Sequence, residues 1–252
     1  MLYDTLIVGN GEVGSSLKKV LEKRKEKKSI KIIDIKDESD FQSTLQNDKC
    51  ISLHITIPYF NKDFLDYCLT FINCFEPVLV IIHSTVPVRT TERLQALVDK
   101  KNREKKIVIV HSPVRGQHPH LEESLLYFVK YIGTADNDAY LLAKKELSNM
   151  KTKWFDNPRA TELGKLLCTS YYGVCISWHK EMKRICDHFG VKFDDAVTDI
   201  NTTYNAGYKK FRPNVIRPTL YPPEGAIGGH CVVPNANLLE RQLKSKFLEL
   251  IK

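Results

Sequence analysis

Short apolar runs rich in Val and Ile recur through the first half of the chain: Thr5–Gly9, Ile30–Asp34, Ile51–Ile57, Val78–His83, Ile107–His111 and Val129–Gly133. They show little alternation of apolar and polar positions, the pattern of strands buried on both faces in a parallel sheet. Helical stretches at Val13–Lys28, Lys62–Phe75, Thr90–Arg103 and Asn137–Met150 separate several of them, which predicts an α/β, doubly wound domain. The segment between Asp34 and Ile51 leaves room for a helix of a turn or two.

The pattern changes after Trp154. Asn157 and Pro158 suit the cap and first position of a helix, and no strong breaker follows before Gly190. Leu163, Leu167, Tyr171, Val174, Trp178, Met182, Ile185 and Phe189 recur at steps of four and three, one continuous stripe on a helix of about 45–50 Å. The stripe is core or a seam between two chains. Gly190 fits a C-terminal cap, and a further helix starts at Asp194. Residues 205–230, rich in Pro, Gly and aromatics, read as an extended loop, and a last helix as Ala236–Ile251. The expected domains are 1–153 and 154–252.

Composition narrows the class. The 252 residues are 42% hydrophobic and 27% charged, which excludes wholesale disorder. No stretch approaches the roughly 20 apolar residues of a membrane span, and the N-terminus lacks a basic segment before an apolar run. Seven scattered cysteines point to free thiols and a cytoplasmic setting rather than a disulfide framework. The net charge of +8 is concentrated partly in 18–28, where interspersed Glu and the lack of aromatics favour a solvated helix face over a nucleic-acid surface. His118 and His120 have no companion Cys/His set, so no metal is expected.

The first strand runs directly into Gly9-Asn10-Gly11-Glu12-Val13-Gly14. The three glycines serve a tight turn, close approach of backbone to a pyrophosphate, and close helix–strand packing. The phosphates then meet the positive end of the next helix. Asp34, twenty residues after Gly14, stands at the end of the next strand, where a carboxylate accepts hydrogen bonds from ribose hydroxyls and repels a 2′-phosphate. These features predict NAD as cofactor, with Gly9, Gly11, Glu12, Val13, Gly14 and Asp34 at its site.

Further segments follow in order: Thr56-Ile57-Pro58, His83-Ser84-Thr85-Val86-Pro87, Ser112-Pro113, Ala160-Thr161-Glu162-Leu163-Gly164-Lys165 and Gly228-Gly229-His230-Cys231. With the glycine turn, they resemble the UDP-glucose/GDP-mannose dehydrogenase family of nucleotide-sugar 6-dehydrogenases. The resemblance implies an NAD-dependent oxidoreductase that acts on an alcohol by hydride transfer. It casts Cys231 as the nucleophile that captures an aldehyde, Lys165 as the lysine that stabilises oxyanion charge, and Thr85 as a residue near cofactor and water. Thr56 and Pro58 join the cofactor site, and the long helix, 158–189, pairs two chains into a homodimer. Three positions depart from the family pattern: Thr169 stands for Asn, Val114 for an acid, and Asn235 for Asp. The family's C-terminal substrate-nucleotide domain has no counterpart here. Lys209, Lys210, Arg212 and Arg217 crowd the loop before Cys231, and Arg115 follows Ser112-Pro113-Val114. Arg212, Arg217 and His230 are expected to bind a small, anionic substrate. The other readings are a catalytically degenerate NAD-binding partner protein and a two-electron hydroxy-acid dehydrogenase or reductase.

Overall fold

The computed structural model describes residues 1–26, 28–59, 63–101, 106–227 and 231–251, and of 38–41 the backbone alone. The chain divides into two compact units, Met1–Lys165 and Leu166–Lys252, and the division falls within the long helix. The first unit alternates β1 (Leu2–Val8), α1 (Glu12–Glu22), β2 (Ile30–Ile33), α2 (Glu38–Asn47), β3 (Lys49–Ile55), α3 (Asp63–Phe75), β4 (Leu79–Ile82), α4 (Thr90–Lys101), β5 (Val108–His111), α5 (Leu121–Tyr127), β6 (Lys130–Gly133), α6 (Asn137–Glu146) and β7 (Thr152–Phe155). One seven-stranded sheet results, in the order β2-β1-β3-β4-β5-β6-β7. The expected α/β, doubly wound, Rossmann-like sheet is therefore present.

All pairings are parallel except β5 with β6, which meet antiparallel at His111 and Gly133. A four-residue apolar run carries no mark of its direction, so this reversal is invisible locally. Strand β7 extends the sheet through the segment where composition suggested a domain boundary. Helix α2 has ten residues rather than a turn or two, and α5 went unpredicted. Helix α1 stops at Glu22, short of the expected Lys28.

Alternation along β1 divides the core. Leu6 and Val8 join Phe64, Phe71, Ile72 and Phe75 of α3 on one face, while Ile7 joins Leu17, Val20 and Leu21 of α1 and Ala139 and Ala143 of α6 on the other. The end of α1 has a consequence for charge. Past the helix, Arg24 turns inward, so the run 18–28 is not wholly a solvated face.

Helix α7 (Pro158–His188), whose first eight residues belong to the first unit, has 31 residues, about 46 Å. Asn157 Oδ1 accepts from the amide of Arg159 at 3.0 Å, the expected cap. Gly190, at φ +66°, closes the other end: the amides of Gly190 and Val191 donate to the carbonyls of Asp187 and Cys186. A π-helical turn, Asp194–Asp199, leads into α8 (Ile200–Tyr208), so the expected loop begins later than Asn205. Helix α9 (Val232–Gln242) starts four residues earlier than expected, and α10 (Lys246–Glu249) ends the chain. Val232 and Ile251 pack against Gly173, where an added Cβ would lie 2.7 Å from each.

The apolar stripe of α7 faces largely outward. Leu167, Tyr171, Trp178 and Phe189 are 50–72% exposed, whereas Val174 and Met182 are half-buried. The residues of this helix that are buried include Glu162, Leu166, Ser170 and His179. Among the described residues, no helix is long and apolar enough to cross a membrane.

Phe71 is fully buried between the rings of Tyr67 and Phe75. Phe71→Ala is expected to lower unfolding free energy by about 3–5 kcal/mol, measured by urea denaturation.

Candidate functional site

Strand order places a switch point between β1 and β3, whose connections leave toward opposite faces. The glycine turn occupies it. Gly9 adopts φ +106°, a region that favours glycine, and its amide donates to Ile33 O at 2.8 Å. Thr56 secures the turn from β3: its amide and hydroxyl donate to Val8 O, each at 2.9 Å, and its hydroxyl also reaches Gly9 O at 2.8 Å. An added Cβ at Gly14 would lie 1.8 Å from Gly9 O, so α1 can start here only without a side chain. At Gly11, in contrast, a Cβ would meet nothing within 4 Å. One glycine thus turns the chain, one leaves room for a ligand, and one permits contact of helix and strand.

Asp34 completes the turn. Its Oδ2 accepts from the amide of Asn10 at 2.9 Å and its Oδ1 from that of Lys36 at 2.9 Å. The carboxylate is held at the mouth of the turn and remains half-buried. Val13 packs into the core, and exposed Glu12 pairs with His118. Pro58 is exposed beyond Thr56. The loop bearing Thr85 is tied to the same end of the sheet, because Ser84 Oγ donates to Ile57 O at 2.5 Å. Gly9, Gly14, Asp34 and Thr56 therefore meet at one end of the sheet, and the backbone at Gly11 is left open.

Lys165 ends the first unit. Its Nζ donates to Val114 O at 2.9 Å. One turn earlier, buried Glu162 accepts from the amides of Arg89 and Thr91 at 2.6 and 2.8 Å and from Thr91 Oγ1 at 2.7 Å. This carboxylate caps α4 and anchors the start of α7. Burial pushes its pKa up, partly opposed by the three donors. Arg115 lies 5.5 Å from the Phe128 ring and 5.4 Å from the Tyr131 ring, a stacked placement.

The remaining expected residues belong to the second unit. Cys231 is half-buried at the N-cap of α9 rather than in a flexible loop. Pro234 falls within the first turn, where its missing amide costs no helical hydrogen bond. Asn235 Nδ2 donates to Thr169 Oγ1 at 3.3 Å, so two of the three positions that depart from the family pattern touch each other. Arg217 lies 3.6 Å over the Tyr204 ring and donates to Asn201 Oδ1 at 3.3 Å, while Asn205 brackets its backbone. Arg212 is exposed. Gly228, Gly229 and His230 lie outside the described residues. All seven cysteines are free thiols; burial pushes Cys50 up to about 12 and raises Cys68, whereas Cys168 is exposed rather than core.

A buried polar system went unread in the sequence. Glu146 receives Thr5 Oγ1 at 2.7 Å, Arg24 at 2.9 Å and Lys28 at 3.2 Å, beneath the sheet face covered by α1 and α6. Burial alone would raise this carboxyl, but His54, Thr5 and Arg24 outweigh it and hold it well below the usual range. His54, His83 and His111 then cross the sheet, each within 2% of full burial. The available signal was three histidines in consecutive apolar runs, His54 inside one and His83 and His111 at the ends of the next two, where a polar group needs a partner.

No family model matches the chain. Two curated relatives are named UDP-N-acetyl-D-mannosamine dehydrogenase. That of Methanococcus vannielii is 25% identical over 192 residues, 73% of this chain and 41% of that protein. That of Pyrococcus horikoshii is 28% identical over 174 residues, 67% of this chain and 39% of that protein. The chain is thus similar in sequence to proteins named as nucleotide-sugar dehydrogenases. The solved UDP-D-ManNAc dehydrogenase of P. horikoshii superposes with a TM-score of 0.79 at 20% identity, covering 100% of this chain and 66% of that one. The matched stretches thus span about two fifths of the length of the two curated relatives, and the whole chain about two thirds of the solved structure.

The buried ionisable groups set a pH dependence. Burial lowers His111 from 6.5 to about 3 and His83 well below its usual range, so the unfolded chain takes up protons that the native one refuses. Glu146 stays ionised below the 4.5 of its unfolded state. All three differences have one sign: unfolding stability is expected to fall below pH 6.5 and more steeply below 4.5, by about 1.4 kcal/mol per pH unit for each group. Urea midpoints across this range check it, and His111→Gln should flatten the upper part.

Proposed function

We propose that the protein is an NAD-dependent oxidoreductase acting on a CH–OH group of a small, anionic, sugar-derived substrate. The observation that carries the reading is the turn at the β1–β3 switch point, where Gly9, Gly14 and Thr56 build a cradle, Gly11 leaves its mouth open, and Asp34 stands beside it. Gly9–Gly14 hold the pyrophosphate at the N-terminus of α1, and Asp34 accepts from the adenosine ribose. Thr56, Pro58 and Thr85 line the same strand ends. When bound, NAD supplies the acceptor for the hydride leaving the substrate carbon.

Lys165 donates to the oxygen that gains negative charge during oxidation, and its bond to Val114 O directs the ammonium. Cys231 sits at the N-terminus of α9. Its thiol adds to an aldehyde carbonyl: the C–S bond forms, the carbonyl π pair moves to oxygen, the thiol proton passes to that oxygen, and a thiohemiacetal results. Arg212 and His230 serve the substrate's anionic part, whereas Arg217 is already engaged by Tyr204 and Asn201. The relatives named as UDP-N-acetyl-D-mannosamine dehydrogenases support a nucleotide sugar as the first class to try.

The Thr169–Asn235 pair favours a second reading. Both side chains are neutral and bonded to each other, so neither serves as a general base. The reaction then stops at the aldehyde, a two-electron oxidation. Counting NADH formed per substrate distinguishes the two: two for the acid, one for the aldehyde.

NADH fluorescence is expected to rise on binding to the wild-type protein and not to Gly14→Val, whose side chain cannot fit against Gly9 O. Turnover of a UDP-sugar or hydroxy-acid panel, followed at the NADH absorbance, should be lost in Lys165→Met; binding without turnover of any substrate would favour an NAD-binding partner protein instead. A Cys231→Ala variant that still forms acid at the wild-type rate would remove the covalent step.

The outward stripe of α7 supports a homodimer. Leu167, Tyr171 and Trp178 are each at least half exposed along one stripe of the helix, and exposed apolar faces of this kind serve to pair chains. Sedimentation should give a dimer, and Leu167→Glu with Trp178→Glu should give a monomer that keeps its circular dichroism.

A further inference from the structure

The buried polar system of the first unit has a direction. At one end, Lys130 Nζ donates to Ser112 O and lies 3.0 Å from His83 Nδ1. His83 Nε2 is 2.9 Å from His54 Nδ1, and His54 Nε2 is 3.3 Å from Glu146 Oε1. Lys130, His83, His54 and Glu146 are each at most 3% exposed, so water does not complete their hydrogen bonds. A nitrogen–nitrogen bond between two imidazoles needs one donor and one acceptor, which leaves two polarities.

In the first, Lys130 donates to His83 Nδ1, His83 Nε2–H to His54 Nδ1, and His54 Nε2–H to Glu146. Every link from Lys130 to Glu146 is then satisfied with neutral rings, and the Lys130 amine, which also donates to Ser112 O, bridges the two acceptors His83 Nδ1 and Ser112 O. In the second, His83 Nδ1–H donates to Ser112 O, 3.0 Å away, and His54 Nδ1–H to His83. His54 Nε2 must then face the carboxylate either as a bare lone pair or, doubly protonated, as a cation. Arg24 and Lys28 already give Glu146 two positive partners, and another buried cation there has no anion of its own. A charged His54 also lies next in the chain to His83 and Lys130. The first polarity is the one that balances.

Its far end touches the candidate site. Ser112 is held by three hydrogen bonds to two strands, β4 and β6: its amide donates to Ile82 O at 2.8 Å, its hydroxyl to Tyr131 O at 2.7 Å, and its carbonyl takes Lys130. Two residues on, after Pro113, Val114 O holds Lys165 Nζ. We propose that Lys130, His83, His54 and Glu146 form one head-to-tail hydrogen-bond chain with both imidazoles protonated at Nε2, and that this chain is a positioning device that fixes the segment Ser112–Val114, on whose Val114 carbonyl Lys165 is held. The positioning role in turnover rests on the oxidoreductase reading; the chain and its hold on Lys165 do not.

The test begins with the wild-type protein labelled with 15N-histidine. Two-bond nitrogen–proton spectra near neutral pH should show His83 and His54 as neutral Nε2–H tautomers. An Nδ1–H ring or an imidazolium at either position overturns the chain. The second arm is Lys130→Met, which removes the amine and keeps the length of the side chain. With Ser112 freed, Lys165 should be acylated at least about fivefold faster, as read by mass spectrometry, the equivalent of losing one hydrogen bond. An unchanged rate in a folded Lys130→Met protein overturns the positioning role. A variant that fails to fold leaves the decision to the wild-type spectra. In turnover, kcat should fall about tenfold or more while the KM for the dinucleotide stays constant. A wild-type protein that turns over nothing defeats the oxidoreductase reading, and the spectra and acylation rates still decide the chain.

Discussion

The first strand must become the first helix in a space too small for one methyl group. Gly14 lies against the carbonyl of Gly9, and the Thr56 hydroxyl reaches the same carbonyl from the neighbouring strand. This contact sets where α1 begins, how closely it lies over β1, and which way its amides point. It also couples β3 to the turn, since Thr56 is the first residue past that strand. The open mouth at Gly11 and the placement of Asp34 follow from the same crowding: the backbone is driven close to the strand ends on one side and left bare on the other.

Polar burial is the second organising force. One face of the sheet carries a cationic end at Arg24 and Lys28, an anion at Glu146, two linked imidazoles and Lys130, among residues that are otherwise aliphatic. Such a system contributes little net stability compared with an apolar filling, yet removing one member strands the rest. Its value is geometric, because hydrogen bonds of this kind fix angles that aliphatic packing leaves loose. Glu162 acts similarly at the start of α7, where it joins that helix to the first turn of α4.

Much of the cofactor site was legible in one dimension. The glycine spacing, the preceding strand and the acid after β2 are local features, and the structure joins them through Thr56, a residue singled out from the family pattern. The catalytic candidates were less legible. Cys231 lies at a helix start, which a Pro three residues later disguised as loop. Arg217, read as a substrate clamp, is stacked on Tyr204 and bonded to Asn201. Charge alone does not say whether an arginine meets a ligand or its own fold. The apolar stripe of α7 was correct as a periodicity, but periodicity is indifferent to which face the rest of the chain covers.

By itself, the sequence determined the alternation of strands and helices, the glycine turn and its acid, the extent of the long helix and its two caps. All of these depend on residues within a turn or a strand of one another. Only tertiary structure decided the direction of β6, the inward path of Arg24, the meeting of Thr169 with Asn235, and the hydrogen-bond chain from Lys130 to Glu146. Those contacts join residues far apart along the chain, and local pattern holds no record of a partner that arrives from another strand.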